Sequence, residues 1–293
     1  VDEVTETEPS LIPAQRRKLI SEYLQIHQVA RLSTLCDLLR ASEATVRRDL
    51  EWLETQGLLE RTHGGATLSQ RLPREPGYFH SALAHPDEKR WIGKAAAALV
   101  EEGDMVFLNS GTTTTEVIRN LRARPDLSHI TVITSNVTAA SEARDAAFEI
   151  LLLGGTFRPQ SNATAGRFAI GVLEQVYANK AFIGVDGISL KFHCTTPASA
   201  EAEIASTMIE RTRGLVSVVA DHSKWGVVSN FELAKIDQIQ ALIVDEGLGQ
   251  EARAQLQARG VTLILACPEP GAARGIPARE DQEKAHATVL QAG

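Results

Sequence analysis

Only three cysteines occur in this 293-residue chain, Cys36, Cys194 and Cys267, odd in number and far apart. That spacing excludes a disulfide framework or a cysteine-held metal and points to thiols kept reduced in a cytoplasm. Histidine adds nothing: His193 and His222 have no partner at metal-ligand spacing, so neither a metal nor another cofactor is expected. Long apolar runs are missing, and the acidic start (Asp2, Glu3, Glu6, Glu8) is unlike a signal peptide. The expectation is a cytoplasmic protein with no membrane partner. Positive charge is scarce overall, 30 Lys/Arg against 37 Asp/Glu for a net of −7, which excludes a polycation along the whole chain. Residues 14–70 differ, with eight Lys/Arg against seven Asp/Glu, the basic ones gathered at residues 16–18, at Arg47-Arg48 and near Arg61. A 43% hydrophobic content over this length supports more than one core.

What the chain does hold is an ordered run over residues 42–66, SEATVRRDLEWLETQGLLERTHGGA. Ser42 is a natural N-cap, since its hydroxyl accepts from backbone N–H groups of a first helical turn. Val46, Leu50 and Leu53 recur at helical spacing and face a core, leaving Thr45, Arg47 and Arg48 outside. Arginine suits phosphates and the acceptor edge of guanine, and threonine suits phosphates or a thymine methyl. Gly57 stops the helix, residues 58–62 read as a strand, and His63-Gly64-Gly65 as a tight turn that brings backbone near a phosphate. A bland surface helix explains the amphipathicity equally well, but not the order of cap, paired arginines, helix stop and Gly-Gly turn.

Upstream, residues 16–24 predict a first helix with Leu19, Ile20, Tyr23 and Leu24 inward, and Ser33 caps a second over residues 34–39. Three helices and a wing make a winged helix-turn-helix over residues 14–70, after a disordered tail at 1–13. The candidate contacts to double-stranded operator DNA are Ser42, Thr45, Arg47, Arg48, Arg61, His63 and Gly64. From Arg16 to Ala66 the chain resembles the DeoR family of bacterial transcription regulators, through its Ser-x-x-Thr-Val-Arg-Arg-Asp-Leu stretch and its His-Gly-Gly-Ala wing. The weak net charge of one reader implies multivalent binding, as a homodimer or homotetramer.

Prolines and a glycine mark residues 71–88 as a linker. Apolar runs then alternate with helical patterns over residues 89–267: strands at 105–108, 130–133, 149–153, 181–184, 215–219, 241–244 and 261–265, with helices at 92–99, around 117–118 and at 139–144. Such continuous runs are buried on both faces, so the fold class is α/β, a mostly parallel, Rossmann-like sheet wrapped by helices. Residues 268–293 read as a frayed tail.

The strand ending at Leu108 runs into Asn109-Ser110-Gly111-Thr112-Thr113-Thr114-Thr115 and a helix, a glycine bend whose free N–H groups and hydroxyls suit a phosphate or carboxylate. An ordinary βα turn with hydroxyl caps fits the same residues. Two further loops, Thr134-Ser135-Asn136 and Gly154-Gly155, also follow strands and belong to the same sheet edge. Asp186, after another strand, suits sugar hydroxyls, and Lys224 suits a phosphate, although a turn aspartate and a solvated lysine are the plainer readings.

These segments resemble the sensor domain of the same family, which is related in fold to ribose-5-phosphate isomerases and CoA transferases and binds mostly phosphorylated sugars or polyols. The resemblance then spans residues 16–266. It carries the phosphate role to Ser110, Gly111, Thr112 and Thr113, and effector contacts to Asn136, Gly154, Gly155, Asp186 and Lys224. Two departures stand out: Asn109 where the family usually has Asp, and Ala205-Ser206 where it often has basic residues. The implied function is a regulator, a repressor of a sugar or polyol operon, on the nucleoid when bound to its operator. A sugar-phosphate isomerase with an accessory DNA-binding domain would use Asp186 and Lys224 for proton transfer, but no second carboxylate sits beside Asp186. An acyl-CoA binder would need a glutamate nucleophile in a glycine-rich turn, which is not evident.

Overall fold

Leucines and isoleucines at helical spacing close a small core within the first 74 residues. The computed structural model describes residues 11–27, 29–55, 59–62, 64–68, 77–268 and 274–276, and it divides into two units, Val1–Arg74 and Glu75–Gly293. In the first, α1 (Pro13–His27), β1 (Val29–Arg31), α2 (Leu32–Leu39) and α3 (Glu43–Thr55) precede a hairpin of β2 (Leu59–Thr62) and β3 (Gly65–Leu68). Ile20, Leu24, Leu35, Val46, Leu50 and Leu53 are buried together. Ser42 caps α3: its hydroxyl accepts from the Thr45 amide at 3.4 Å, and its carbonyl accepts from Val46 N at 3.0 Å. Ser33 does not cap α2. That helix starts two residues earlier, at Leu32, with Arg31 in the cap position, because the Leu32 amide already donates to Gly64 O at 2.8 Å.

Strand β1, absent from the sequence reading, pairs antiparallel with β3. Three residues are too few to show an alternation. The approach explains Gly65, where a Cβ would fall 2.0 Å from the Ala30 carbonyl oxygen. The second glycine of the wing is therefore required by the sheet rather than by a phosphate. Gly57 and His63 lie outside the described residues.

A buried carboxylate ties this unit together. Asp49 on α3 is 1% exposed and accepts from Arg16 Nε at 2.7 Å and Arg17 Nε at 3.0 Å. The Arg17 guanidinium also lies 4.3 Å from the Trp52 ring centroid. Two of the basic residues gathered at residues 16–18 are thus engaged in joining α1 to α3.

In the second unit, the stretch read as a linker to residue 88 holds α4 (Tyr78–Leu83) and the start of α5 (Pro86–Ala97). Then follow β4 (Met105–Leu108), α6 (Thr112–Arg122), β5 (Thr131–Thr134), α7 (Val137–Glu142), β6 (Glu149–Leu152), β7 (Thr156–Arg158), β8 (Ala163–Ala165) and α8 (Arg167–Leu173). The chain continues through β9 (Ala178–Gly184), β10 (Gly187–Ser189), β11 (His193–Thr196), α9 (Ser199–Glu210), β12 (Thr212–Val219) and β13 (Phe231–Ala234). It ends with β14 (Ala241–Asp245), α10 (Gln250–Gln257), β15 (Thr262–Ala266) and β16 (Arg274–Ile276).

The main sheet has the order β16-β15-β14-β12-β9-β4-β5-β6, all parallel except β16, which runs antiparallel to β15. Strand β16 corrects the reading of residues 268–293 as tail throughout. Alternate residues of the central strands face opposite cores: Phe107, Ala181 and Ile183 pack with α8, α9 and α10, while Val106, Leu108 and Phe182 pack with α5 and α6. Gly93 lets α5 lie against α6, since a Cβ there would meet the Glu116 backbone at 2.6 Å. Strand β6 is the exception to two-sided burial. It is a sheet edge, and Leu151 and Leu152 are both exposed. Building outward from β4, the chain places β5 and β6 on one side, then returns to lay β9 on the other. Loops at the carboxyl ends of β4 and β9 diverge at this reversal, the place where open α/β sheets bind ligands.

Replacing Asp49 by Ala should lower the stability of the first unit by about 3 kcal/mol, the low end for breaking a buried pair because both arginines retain some access to water. Denaturant titration of Asp49→Ala, followed by Trp52 fluorescence, checks this. An unchanged midpoint would remove Asp49 as the tie.

Candidate nucleic-acid interface and ligand cavity

On α3, Arg47 and Arg48 are exposed and Thr45 is half-buried at the capped end. Arg47 meets Glu43 at 3.4 Å, one turn away, an exposed pair worth a few tenths of a kcal/mol. Arg48 has no ion pair among the described residues. Arg61 on β2 is held by Glu54, Nε to Oε2 at 3.0 Å, while the Arg61 amide donates to Glu54 Oε1 at 3.2 Å. Gly64 is exposed at the wing tip. Ser42, Thr45, Arg47 and Arg48 therefore share the leading end of one helix, the arrangement by which a recognition helix enters a major groove.

In the second unit, a cavity that leaves about 80 Å³ for the centres of water molecules, and so more for the molecules themselves, opens where β4 and β9 diverge. Ser110, Gly111, Thr112 and Thr113 form one wall, with Asp186 and Lys224 in the others. Gly111 caps α6 at φ +146°, a region that favours glycine. The first bond of the helix runs from Thr115 N to Gly111 O at 3.2 Å, so the amides of Thr112, Thr113 and Thr114 precede any intrahelical acceptor. The threonines divide the work. Thr114 and Thr115 turn inward and donate to Gly111 O, both at 3.0 Å, leaving Ser110, Thr112 and Thr113 to border the cavity.

Asn109 links the two strand ends: its Nδ2 donates to Gly184 O at 2.9 Å, and its Oδ1 accepts from Gly184 N at 2.7 Å. A carboxylate could make only the second bond. Asn136 is fully buried and does not line the cavity. Its Nδ2 donates to Gly111 O and to Thr115 Oγ1, each at 2.9 Å, and its Oδ1 caps α7. Gly154 and Gly155 are exposed and also stand apart. Gly155 serves the β7–β8 hairpin, where a Cβ would fall 2.5 Å from Ala165 O.

Several lining residues escaped the sequence reading. Tyr78 and Ser81 lie in the stretch taken as linker, whose short helix gives no legible period. Lys89 and Glu201 look like ordinary helix surface residues. Lys89 is in fact 4% exposed, and burial pushes its pKa down, countered by Asp221 and assisted by Lys224. Glu201 accepts from Ser110 Oγ at 3.1 Å and pairs with Arg158 at 2.9 Å. His222 is not incidental. Its Nδ1 meets Asp245 Oδ2 and its amide donates to Asp245 Oδ1, both at 2.7 Å, anchoring the 3-10 turn that carries Lys224 to the end of β14.

Two family models match the chain: the DeoR-like helix-turn-helix domain over residues 16–71 and the DeoR C-terminal sensor domain over residues 84–246. The chain belongs to the DeoR family. It is a DNA-binding transcriptional regulator rather than an enzyme. Among curated relatives, the HTH-type transcriptional regulator GlpR of Haloferax volcanii is 33% identical over 87% of this chain and 98% of its own length. The HTH-type transcriptional repressor GlcR of Bacillus subtilis is 32% identical over 88% and 98%. Among solved structures, ribose 5-phosphate isomerase A of Methanocaldococcus jannaschii aligns with 48% of this chain and 55% of its own at 18% identity and a TM-score of 0.37, too slight a likeness to bear on activity. No helix among the described residues is long and apolar enough to cross a membrane.

Burial raises the pKa of Asp186, and Lys224 and a 3.0 Å bond from Thr196 Oγ1 only partly offset this. A carboxylate whose folded pKa lies above its unfolded value of about 3.9 destabilises the fold once ionised. The penalty is absent below the unfolded pKa, grows as pH rises toward the folded pKa, and stays constant above it. Asp186→Asn should therefore melt at a higher temperature than the wild type at pH 7, with the gap closing toward pH 4. Scanning calorimetry at the two pH values checks this, and a lower melting temperature at pH 7 would reverse the reading.

Proposed function

We propose that this regulator represses a sugar or polyol catabolic operon and is released by a phosphorylated sugar or polyol that binds in the cavity. The observation that carries the reading is the convergence on one small cavity of the α6 amino end, three hydroxyls and two lysines. Amides at a helix start favour an anion, and a lysine beside them supplies the opposite charge. In this reading the backbone and hydroxyls of residues 110–113 hold the phosphate and Lys224 neutralises it. Asp186 and Glu201 accept the sugar hydroxyls. Asn136 acts from behind, fixing the Gly111 carbonyl. Gly154 and Gly155 take no part.

On operator DNA, Ser42, Thr45, Arg47 and Arg48 enter the major groove, and Arg61, His63 and Gly64 reach the phosphates beside it. A reader with so few uncommitted cations binds weakly alone, so a homodimer or homotetramer delivers two or more to one operator. It acts in the cytoplasm, on the nucleoid. Ligand control requires that the effector bind the DNA-free arrangement more tightly than the DNA-bound one.

Calorimetry with a panel of sugar phosphates tests the cavity. Thr112→Ala and Lys224→Ala should each weaken the phosphate ester by about tenfold to a hundredfold, the value of a charge-assisted hydrogen bond. The free sugar should bind far more weakly, and equal affinity for sugar and ester would make residues 110–113 a capped turn and nothing more. Gel-shift titrations of Arg47→Ala and Arg48→Ala test the reader. A base-reading arginine costs roughly 1–3 kcal/mol and relaxes sequence preference, whereas a phosphate-binding one weakens all sequences alike. Wild-type affinity in both variants would move the DNA face elsewhere.

A further inference from the structure

Lys89 makes no ion pair among the described residues. Its buried ammonium donates to two neutral carbonyls, Ser81 O at 2.5 Å and Ala84 O at 2.6 Å. Removing an ammonium from water costs several kcal/mol unless opposite charge answers it. Here the answer is partial: Asp221 is close enough to favour the charged form, Lys224 is close enough to oppose it, and burial lowers the pKa. Asp221 is itself buried, with its Oδ2 lacking any partner among the described residues. A dianion in the cavity would satisfy Lys89 and Lys224 together.

The two carbonyls belong to the carboxyl end of α4. At six residues that helix is too short to persist alone. It is pinned by Tyr78 N to Gln160 O at 2.8 Å, by Tyr78 OH to Thr115 Oγ1 at 2.7 Å, and by Lys89 at its end. Tyr78 is buried at the start of α4, but Phe79 and Leu83 are 73% and 82% exposed, so toward its carboxyl end little apolar burial supplements these pins. In chain order, α4 is the first helix after the division at Arg74. Tyr78, Ser81 and Lys89 all border the cavity.

We propose that Lys89 senses the anion: when a phosphate enters, the ammonium leaves the Ser81 and Ala84 carbonyls for it, and α4 loosens where the chain arrives from the reader. The carbonyls offer the ammonium dipoles, whereas a phosphate offers full opposite charge, and in a desolvated site that added Coulombic attraction favours the exchange. Lys89 thereby joins occupancy of the cavity to the segment that follows the DNA-binding unit. The proposal rests on the cavity being a phosphate site.

Amide hydrogen exchange over residues 78–84 of the full chain tests it, with a hexose 6-phosphate and inorganic phosphate as probes and binding followed in parallel by calorimetry. Saturating probe should speed exchange at residues 81–84 of the wild type severalfold. Lys224→Ala should show the same rise at about tenfold higher probe concentration. Lys89→Met should exchange rapidly without probe and gain nothing from it. A purely structural lysine would also loosen α4 when replaced, but would leave wild-type α4 insensitive to probe. Probe binding with α4 unchanged or slowed, or a rise that persists in Lys89→Met, overturns the role of Lys89 alone. Should Lys89→Met not fold, the wild-type and Lys224→Ala exchange decide by themselves. Absence of binding by either probe to the wild type overturns the phosphate reading and this inference with it.

Discussion

The side-chain amide of Asn109 joins β4 to β9 at the one place where the sheet has no continuous direction of chain growth. Strands that diverge from such a reversal leave a cleft, and a cleft holds its shape only if the diverging backbones are tied. Asn109 does this with both ends of one planar group, and it is almost wholly buried. Gly111 and the start of α6 lie two and three residues beyond Asn109, and Asp186 lies two residues beyond Gly184. Asn136 then clamps the loop from the other side through the Gly111 carbonyl. The departure from the usual family aspartate exchanges a charge at the cavity wall for a second bond across the reversal.

Much of this was legible in the sequence because burial writes itself as periodicity. Central strands such as β14, buried at every residue, read as unbroken apolar runs, and the cap of α3 was visible in Ser42. Helices α9 and α10 were not singled out, and most of what else escaped is short or nonlocal. The three-residue strands β1, β7, β8, β10 and β16 carry too few residues for an alternation to register, and β1 is fixed by its partner rather than by its own side chains. Helix α4 hid in a stretch punctuated by Pro73, Pro76, Gly77 and Pro86. At the cavity, the residues following β4 were readable as a glycine bend before a helix. Lys89 and Glu201 were not, since nothing in a helical lysine or glutamate announces which face the fold will bury. The gathering of three loops was overestimated for a related reason. Following a strand places a loop at the right sheet edge, but β5 and β6 lie progressively farther from the reversal.

The two units use charge in opposite ways. Around the cavity, burial works against the charged forms of both Lys89 and Asp186 while neighbouring charges partly offset it, so an added anion changes the balance for both. In the reader, most of the cations whose partners are visible have been given a local carboxylate. Asp49 takes Arg16 and Arg17, Glu54 takes Arg61, and Glu43 touches Arg47.

That internal pairing bears on the thermodynamics of DNA binding. Duplex DNA is surrounded by condensed cations, and a protein gains entropy by expelling one for each phosphate that it neutralises. A guanidinium already opposite a carboxylate expels fewer, because its partner brings an anion back to the phosphate surface. Each reader thus draws less on released ions than its tally of arginines suggests, and correspondingly more on the fit of the capped helix to the groove.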